Sequence, residues 1–293
     1  MGPLPSGPTS SRVTTGSLAA DLGRLGLRAG QSVLLHASLS SLGRVDGGAA
    51  TVAAALRHVL GPVGTLVVPA MTMDNSNTSR AHLARVQGMS PRQRRMFRRA
   101  MPPFDPASTP GTDTGLIAEH VRTSPGAIRS AHPQSSFAAV GENAERYMSR
   151  HALDCHLGEE SPLGALYGAG AQVLLLGVGF AACSAFHLAE YRYTRRPPMR
   201  RYACVISRNG RPQWWRYRDV VLDDSDFETI GAQLEMTRRV IQGRVGAATA
   251  RLVPVREAVD FATAWMAEHR VAGGTEGAGG ARRMRHAITE ISQ

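Results

Sequence analysis

The residues best able to do chemistry gather in Ser184-Ala185-Phe186-His187-Leu188-Ala189-Glu190, just after an apolar run that ends in Gly177-Val178-Gly179. An apolar run broken by glycines and followed by helix-compatible residues reads as a strand turning into a helix. Residues three apart on a helix share a face with Cβ atoms about 5–6 Å apart, so His187 and Glu190 can meet. A carboxylate so placed fixes the tautomer of an imidazole and stabilises its cation, as a general base requires. Ligands of α/β folds also collect at the carboxyl ends of strands, which is where this pair falls. Two other readings stand beside the catalytic one: an ion pair on a helix surface, and a metal pair. Helical di-metal sites use the Glu-x-x-His order twice on long helices; here the order is reversed and single, so no metal is expected.

Four further groups could hold ligands. His132-Pro133 precedes Ser135-Ser136-Phe137, and the proline keeps His132 out of helical geometry; this is either a capped turn entering a strand or a ligand-holding loop. Ser38-Leu39-Ser40, with Gly43 and the Gly47-Gly48 pair ahead of a helix, offers hydroxyls and amides to a phosphate or an amide chain. Its spacing is neither a P-loop nor GxGxxG. The run Asp223-Asp224-Ser225-Asp226 reads as a helix start capped by Ser225 or Asp226, or as a holder for a polycation. Asp74 leaves the end of the strand that contains Val67-Val68-Pro69.

The elements that must position these residues follow from periodicity. Residues 17–28 carry apolar groups at helical spacing; Ser32–His36 is a short buried strand; Ala49–Leu60 is an alanine-rich helix stopped by Gly61-Pro62; Gly64–Ala70 is a second strand. Strand, helix and strand in about 38 residues make a βαβ unit and hence parallel pairing. Residues 71–114 interrupt the pattern with an arginine-rich helix starting at Ser90-Pro91, read as a solvated surface helix or a lid. Helices are expected over 112–123, 143–149 and 161–167, and a short apolar strand follows Ser136. After the His187 helix, Asn209-Gly210 between two β-rich runs predicts a hairpin. A helix over 226–240 and a strand over 251–255 lead into a last helix ending near His269.

The chain has 293 residues, 43% hydrophobic and 19% charged, enough for a large core in an ordinary globular protein. No run approaches the roughly 20 apolar residues of a membrane span, and the Gly/Pro/Ser-rich start has no signal-peptide core. Cys155, Cys183 and Cys204 are far apart with no CxxC pair, which argues against a disulfide framework or zinc cage and for a cytoplasmic protein. Net charge is +11, carried entirely by arginine with no lysine. Such charge invites nucleic acid, but helix-turn-helix, RNP and zinc-finger patterns are absent and aromatics make up only 5%. Neither nucleic acid nor membrane is therefore expected as a partner.

Taken in order, Leu34–Ser40, Pro69 with Asp74-Asn75, Phe104-Asp105-Pro106, Arg129–Pro133, Ser136–Ala139 and Leu175–Gly179 through Phe186–Glu190 resemble the aminoglycoside 3-N-acetyltransferases, over roughly residues 15–270. The segment 72–103 is similar to the helical insertion of the family's actinomycete branch. The resemblance implies a mixed, largely parallel central sheet flanked by helices, an α/β fold distinct from the GNAT acetyltransferases. It implies one acetyltransferase domain over 15–270; composition adds the expectation of a disordered start over 1–14 and, from the glycine-rich Gly273–Gly280, a flexible basic tail over 271–293. The resemblance further implies acetyl-CoA as cosubstrate, an aminoglycoside as acceptor, and a monomer or homodimer. His187, Glu190 and Ser184 would be catalytic. Ser38, Leu39, Ser40, Gly43, His132, Ser136 and Phe137 would hold coenzyme A, and Asp74, Asp223, Asp224 and Asp226 would face the drug. Where many relatives have Asn-Thr-Ser or Asn-Thr-Thr before Leu-His, this chain has Cys183-Ser184-Ala185-Phe186-His187. An acetyltransferase acting on another amine and a non-catalytic antibiotic- or RNA-binding protein remain as alternatives.

Overall fold

A computed structural model describes residues 12–270. The tail expected over 271–293, and all but the last three residues of the start expected over 1–14, lie outside the described residues. Those three are ordered: Val13 donates its amide to the Arg44 carbonyl at 3.1 Å, and Thr14 caps the first helix in a capping box with Ser17.

The elements in chain order are α1 (Thr15–Leu25), β1 (Ser32–Ala37), α2 (Gly48–Leu60), β2 (Thr65–Pro69), α3 (Arg80–Arg85), α4 (Pro91–Ala100), α5 (Gly115–Arg122), β3 (Ile128–Arg129), β4 (Phe137–Gly141) and α6 (Ala144–Met148). The second half adds α7 (Pro162–Ala169), β5 (Gln172–Leu176), α8 (Phe186–Glu190), β6 (Met199–Arg208), β7 (Arg211–Val220), α9 (Phe227–Met236), β8 (Ile241–Val245), β9 (Ala248–Pro254) and α10 (Val255–His269).

Seven strands form one sheet in the order β3-β4-β2-β1-β5-β9-β8, and β6 and β7 pair apart from it. The mixed α/β architecture is as expected, with parallel pairing confined to the three central strands β2-β1-β5. The four flanking ladders are antiparallel. Alternation explains how both faces of the sheet fill. Val33, Leu35, Leu66, Val68, Leu174 and Leu176 face a core with α1, α2 and α5. Leu34, Val67, Val173 and Leu175 face the opposite core with helices α6 to α10. The chain leaves β1 through α2 on one face and enters β5 from α7 on the other. The carboxyl ends of β1 and β5 are therefore a topological switch point, where α/β folds open a crevice.

The interruption between β2 and α5 is built as expected around Ser90, which caps α4 in a capping box with Gln93 and places Pro91 in the first turn. Its anchoring was not foreseen. The amide side chains of Asn75 and Asn77 imitate a strand along the edge of β6. Asn75 donates to the Val205 carbonyl and accepts from the Val205 amide, both at 2.7 Å, and Asn77 accepts from the Ala203 amide at 2.9 Å. These bonds also satisfy an edge that would otherwise be open to pairing.

Candidate active site

Two loops meet at the switch point. Gly177 has φ +70°, and a Cβ there would lie 2.5 Å from the Cβ of Ser41, so only glycine lets the loop after β5 cross the loop after β1. Ser41 donates its hydroxyl to the Gly177 carbonyl at 3.0 Å and holds the crossing closed. Beyond it the chain makes a short 3-10 turn and enters α8. The side of α8 toward the protein is set by aromatic packing. Phe180 and Phe186 stack at 5.7 Å, Phe227 meets Phe186 edge-on at 5.4 Å, and the His187 ring lies 4.7 Å from Phe227.

His187 and Glu190 meet as their spacing predicts. His187 Nδ1–H donates to Glu190 Oε2 at 2.7 Å. Glu190 is fully buried, and its other oxygen accepts from Arg270 Nη1 at 2.8 Å and from the Asp223 amide at 2.7 Å. With three donors on its two oxygens, this buried carboxylate is held in one orientation. With Nδ1 committed, the imidazole lone pair sits on Nε2, which has no hydrogen-bond partner among the described residues. The His187 side chain retains 15% exposure.

A second histidine, unforeseen as a functional group, completes this centre. His36 is the next-to-last residue of β1 and shares the face of Leu34, pointing toward α8. Its Nε2 faces the Ser184 amide at 3.4 Å and the Ser184 hydroxyl at 3.1 Å. The amide can only donate, so Nε2 carries the lone pair. Burial, followed by the nearby His187, pushes the His36 pKa down to about 4. The Ser184 hydroxyl therefore donates inward to His36. The period-two pattern 32, 34, 36 carried the signal: a histidine on a core face at the carboxyl end of a strand.

The remaining sequence-derived positions divide. Ser38, Leu39, Ser40 and Gly43 are partly or fully exposed on the loop after β1, beside His36, with the Ser38 and Ser40 hydroxyls 3.1 Å apart. His132, Ser136 and Phe137 offer no surface to a ligand, since each is fully buried. Ser136 donates to the Ala70 carbonyl at 2.7 Å and accepts from Arg129 Nε at 2.9 Å, while Phe137 is core. His132 accepts amides of its own turn on Nδ1, at 3.2 Å from Gln134 and Ser135, and its ring stacks on His151 at 4.7 Å. The turn engages His132 through Nδ1, as the capped-turn reading expects, while its buried Nε2 has no hydrogen-bond partner among the described residues.

His132 joins a buried network through Ser135, whose hydroxyl also donates to the His156 carbonyl at 2.8 Å. His156 Nδ1 bonds Asp219 at 2.7 Å, Tyr191 donates to the same carboxylate at 2.8 Å, and Tyr217 and Gln134 bond His156 Nε2. Burial holds His132 well below the usual histidine range and His151 at about 4.

Of the four aspartates, Asp223 lies against the centre through its amide. Asp226 stands at the N-cap of α9 without capping it, because its carboxylate takes Arg270 in a two-point pair at 2.8 and 2.6 Å. Both oxygens of this carboxylate, expected to face a drug, are thus engaged by Arg270. Asp74 pairs with Arg85 at 2.7 Å and Asp224 with Arg80 at 3.2 Å. Cys183 is buried, and burial pushes its thiol up to about 12.

The fold and this centre define a mixed α/β protein with a carboxylate-steered imidazole at the strand-end switch point. A family model described as aminoglycoside 3-N-acetyltransferase matches residues 34–267. The SPbeta prophage-derived aminoglycoside N(3')-acetyltransferase-like protein YokD of Bacillus subtilis (strain 168) is 38% identical over 256 residues, 86% of this chain and 92% of that protein. Its crystal structure superposes with a TM-score of 0.84 over 89% of this chain and 96% of YokD. Aminoglycoside N(3)-acetyltransferase VIII of Streptomyces fradiae is 34% identical, over 91% of this chain and 96% of its own. AAC-IIIb, solved as a binary complex with CoASH, is 31% identical with a TM-score of 0.77 over 88% of this chain and 97% of its own. The chain belongs to the aminoglycoside 3-N-acetyltransferase family.

Proposed function

We propose that this protein transfers acetyl directly from acetyl-CoA to the 3-amine of 2-deoxystreptamine aminoglycosides, in the cytoplasm, and so confers resistance to them. One observation carries the mechanism: His187 Nε2 is left without a partner among the described residues while Nδ1 is held by a fully buried carboxylate that Arg270 anchors. As the amine nitrogen bonds to the thioester carbon, His187 Nε2 takes the amine proton and the carbon–sulfur bond then breaks to release the thiolate. Glu190 stabilises the imidazolium without moving. Such general-base help is worth about 10²–10⁴-fold.

Two supporting groups fit less simply. The five residues of α8 offer no free amides for the oxyanion, because the Phe186 and His187 amides bond the carbonyls of Cys183 and Ser184. Ser184 can donate to the oxyanion only by turning its hydroxyl away from His36. The loop Ser38–Gly43 supplies the accessible hydroxyls and amides for the pantetheine arm. The experiment is thiol release from acetyl-CoA against a panel of 2-deoxystreptamine aminoglycosides. The wild type should release thiol with gentamicin. His187→Ala should lose turnover at least about a hundredfold with coenzyme A affinity nearly intact, and equal turnover in that variant would remove His187 from the mechanism.

A further inference from the structure

Two of the carboxylates expected to meet the drug, Asp74 and Asp224, are already paired with cations of the chain itself. Arg85 Nη2 lies 2.7 Å from Asp74 and Arg80 Nη2 lies 3.2 Å from Asp224. Both arginines come from α3, one at each end of six residues, and span roughly 7.5 Å along the axis at 1.5 Å per residue. Asp74 precedes α3 on the loop from β2. Asp224 lies far along the chain, next to the Asp223 amide that bonds Glu190. The short helix thus joins the loop from β2 to the loop beside the histidine centre through two guanidiniums.

Nothing about α3 requires those arginines for its own position. Ser79 accepts from the His82 amide at 3.1 Å and caps the helix, and the buried His82 ring packs 5.7 Å from Phe97 of α4. Asn75 and Asn77 clasp β6 from the same segment. The arginine side chains remain 63% and 58% exposed. Arg80 even occupies the first turn of its helix, the end that disfavours a cation. Its partner across the chain, rather than its helix, accounts for where it sits.

We infer that Arg80 and Arg85 are built-in competitors of the substrate, each masking one carboxylate that a polycationic aminoglycoside binds by displacing the guanidinium. The inference rests on the proposed function and on the expectation that Asp74 and Asp224 face the drug. It makes the two arginines specificity-determining residues: a ligand must bring at least two ammonium groups to replace both pairs. It also predicts an unusual salt response. Exchanging one ion pair for another changes the number of screened contacts little, so binding to the masked enzyme should depend weakly on salt. Binding to bare carboxylates should depend on it strongly.

The test compares Arg80→Ala, Arg85→Ala and the double variant with wild type in steady-state acetylation of gentamicin at several salt concentrations, with calorimetric titration of gentamicin alongside. The KM and Kd for gentamicin should fall about two- to fivefold for each exposed pair removed. The slope of log KM against log salt should steepen, while kcat and the KM for acetyl-CoA stay within error. Arg92→Ala with Arg95→Ala on α4, exposed and without ionic partners among the described residues, makes the same change in net charge and should leave the gentamicin KM where it was. An unchanged or higher gentamicin KM in the double variant overturns the mask. Asp74→Asn with Asp224→Asn tests the underlying reading separately: a gentamicin KM unmoved by that pair means the drug binds elsewhere, whatever the arginines do.

Discussion

At the scale of single residues, the chemistry is decided by which groups are held in one protonation state. Glu190 is buried with three donors, so it serves as a fixed anchor, and His187 is the group left free to move a proton. Cys183 is the other nucleophile type in reach. Burial drives its thiol up to about 12, which leaves almost no thiolate at neutral pH. A covalent acetyl-cysteine route therefore lacks its nucleophile. Cys183→Ala should keep kcat within about threefold of wild type, and iodoacetamide at pH 7 should not inactivate the enzyme. Loss of activity on alkylation, prevented by prior incubation with acetyl-CoA, would point to an acyl-enzyme instead. Of these residues, the His187–Glu190 pair was legible from spacing alone. Arg270 was not, because it lies 80 positions from its partner Glu190 and no local pattern announces a contact made by folding.

At the scale of elements, the site depends on close approach between α9 and the turn ahead of α8. A Cβ on Gly231 would lie 2.0 Å from Phe180, whose ring supports Phe186 and, through Phe227, the histidine. Gly231→Ala should cost about 1–3 kcal/mol by overpacking, lowering the melting temperature by about 3–10 °C, and should depress kcat more than the KM for either substrate. A melting temperature equal to wild type would mean that α9 can retreat at no cost. The elements themselves were read with uneven success, for physical reasons. Asn209-Gly210 was decisive because both residues adopt positive φ, at 52° and 72°, the geometry such a hairpin turn demands. The hairpin of β8 and β9 was missed because its turn is Gly246-Ala247 and β8 reads as polar, with a glycine in the middle. The helix expected to run to residue 240 ends at Met236, where the chain turns to feed that strand. The antiparallel flanks were hidden for a related reason: a βαβ unit specifies the pairing of its own two strands and says nothing about strands added outside them.

At the scale of the whole molecule, the buried histidines tie stability to pH. His36 and His151 titrate at about 4 in the folded protein, and His132 lies well below 6.5, in each case first through burial. The unfolded chain takes up these protons near pH 6.5, whereas the folded chain refuses them. Stability from these groups is therefore complete above pH 6.5, is lost as the pH falls toward 4, and is lost no further by His36 and His151 below that. Each histidine contributes a slope of about 1.4 kcal/mol per pH unit in that window, so the three together reach roughly 4 kcal/mol per unit at most. None of this is legible from local pattern, since His132 and His151 come into register only when the turn before β4 packs against the segment after α6. Urea unfolding midpoints should be level between pH 7 and 8 and fall steeply between pH 6.5 and 4.5. His36→Asn, which keeps an acceptor for the Ser184 amide, should flatten that fall by about a third. A midpoint constant from pH 7 to 5 would mean that these rings accept protons in the folded state. In that case the network around Asp219 would have to open to water well before the protein unfolds.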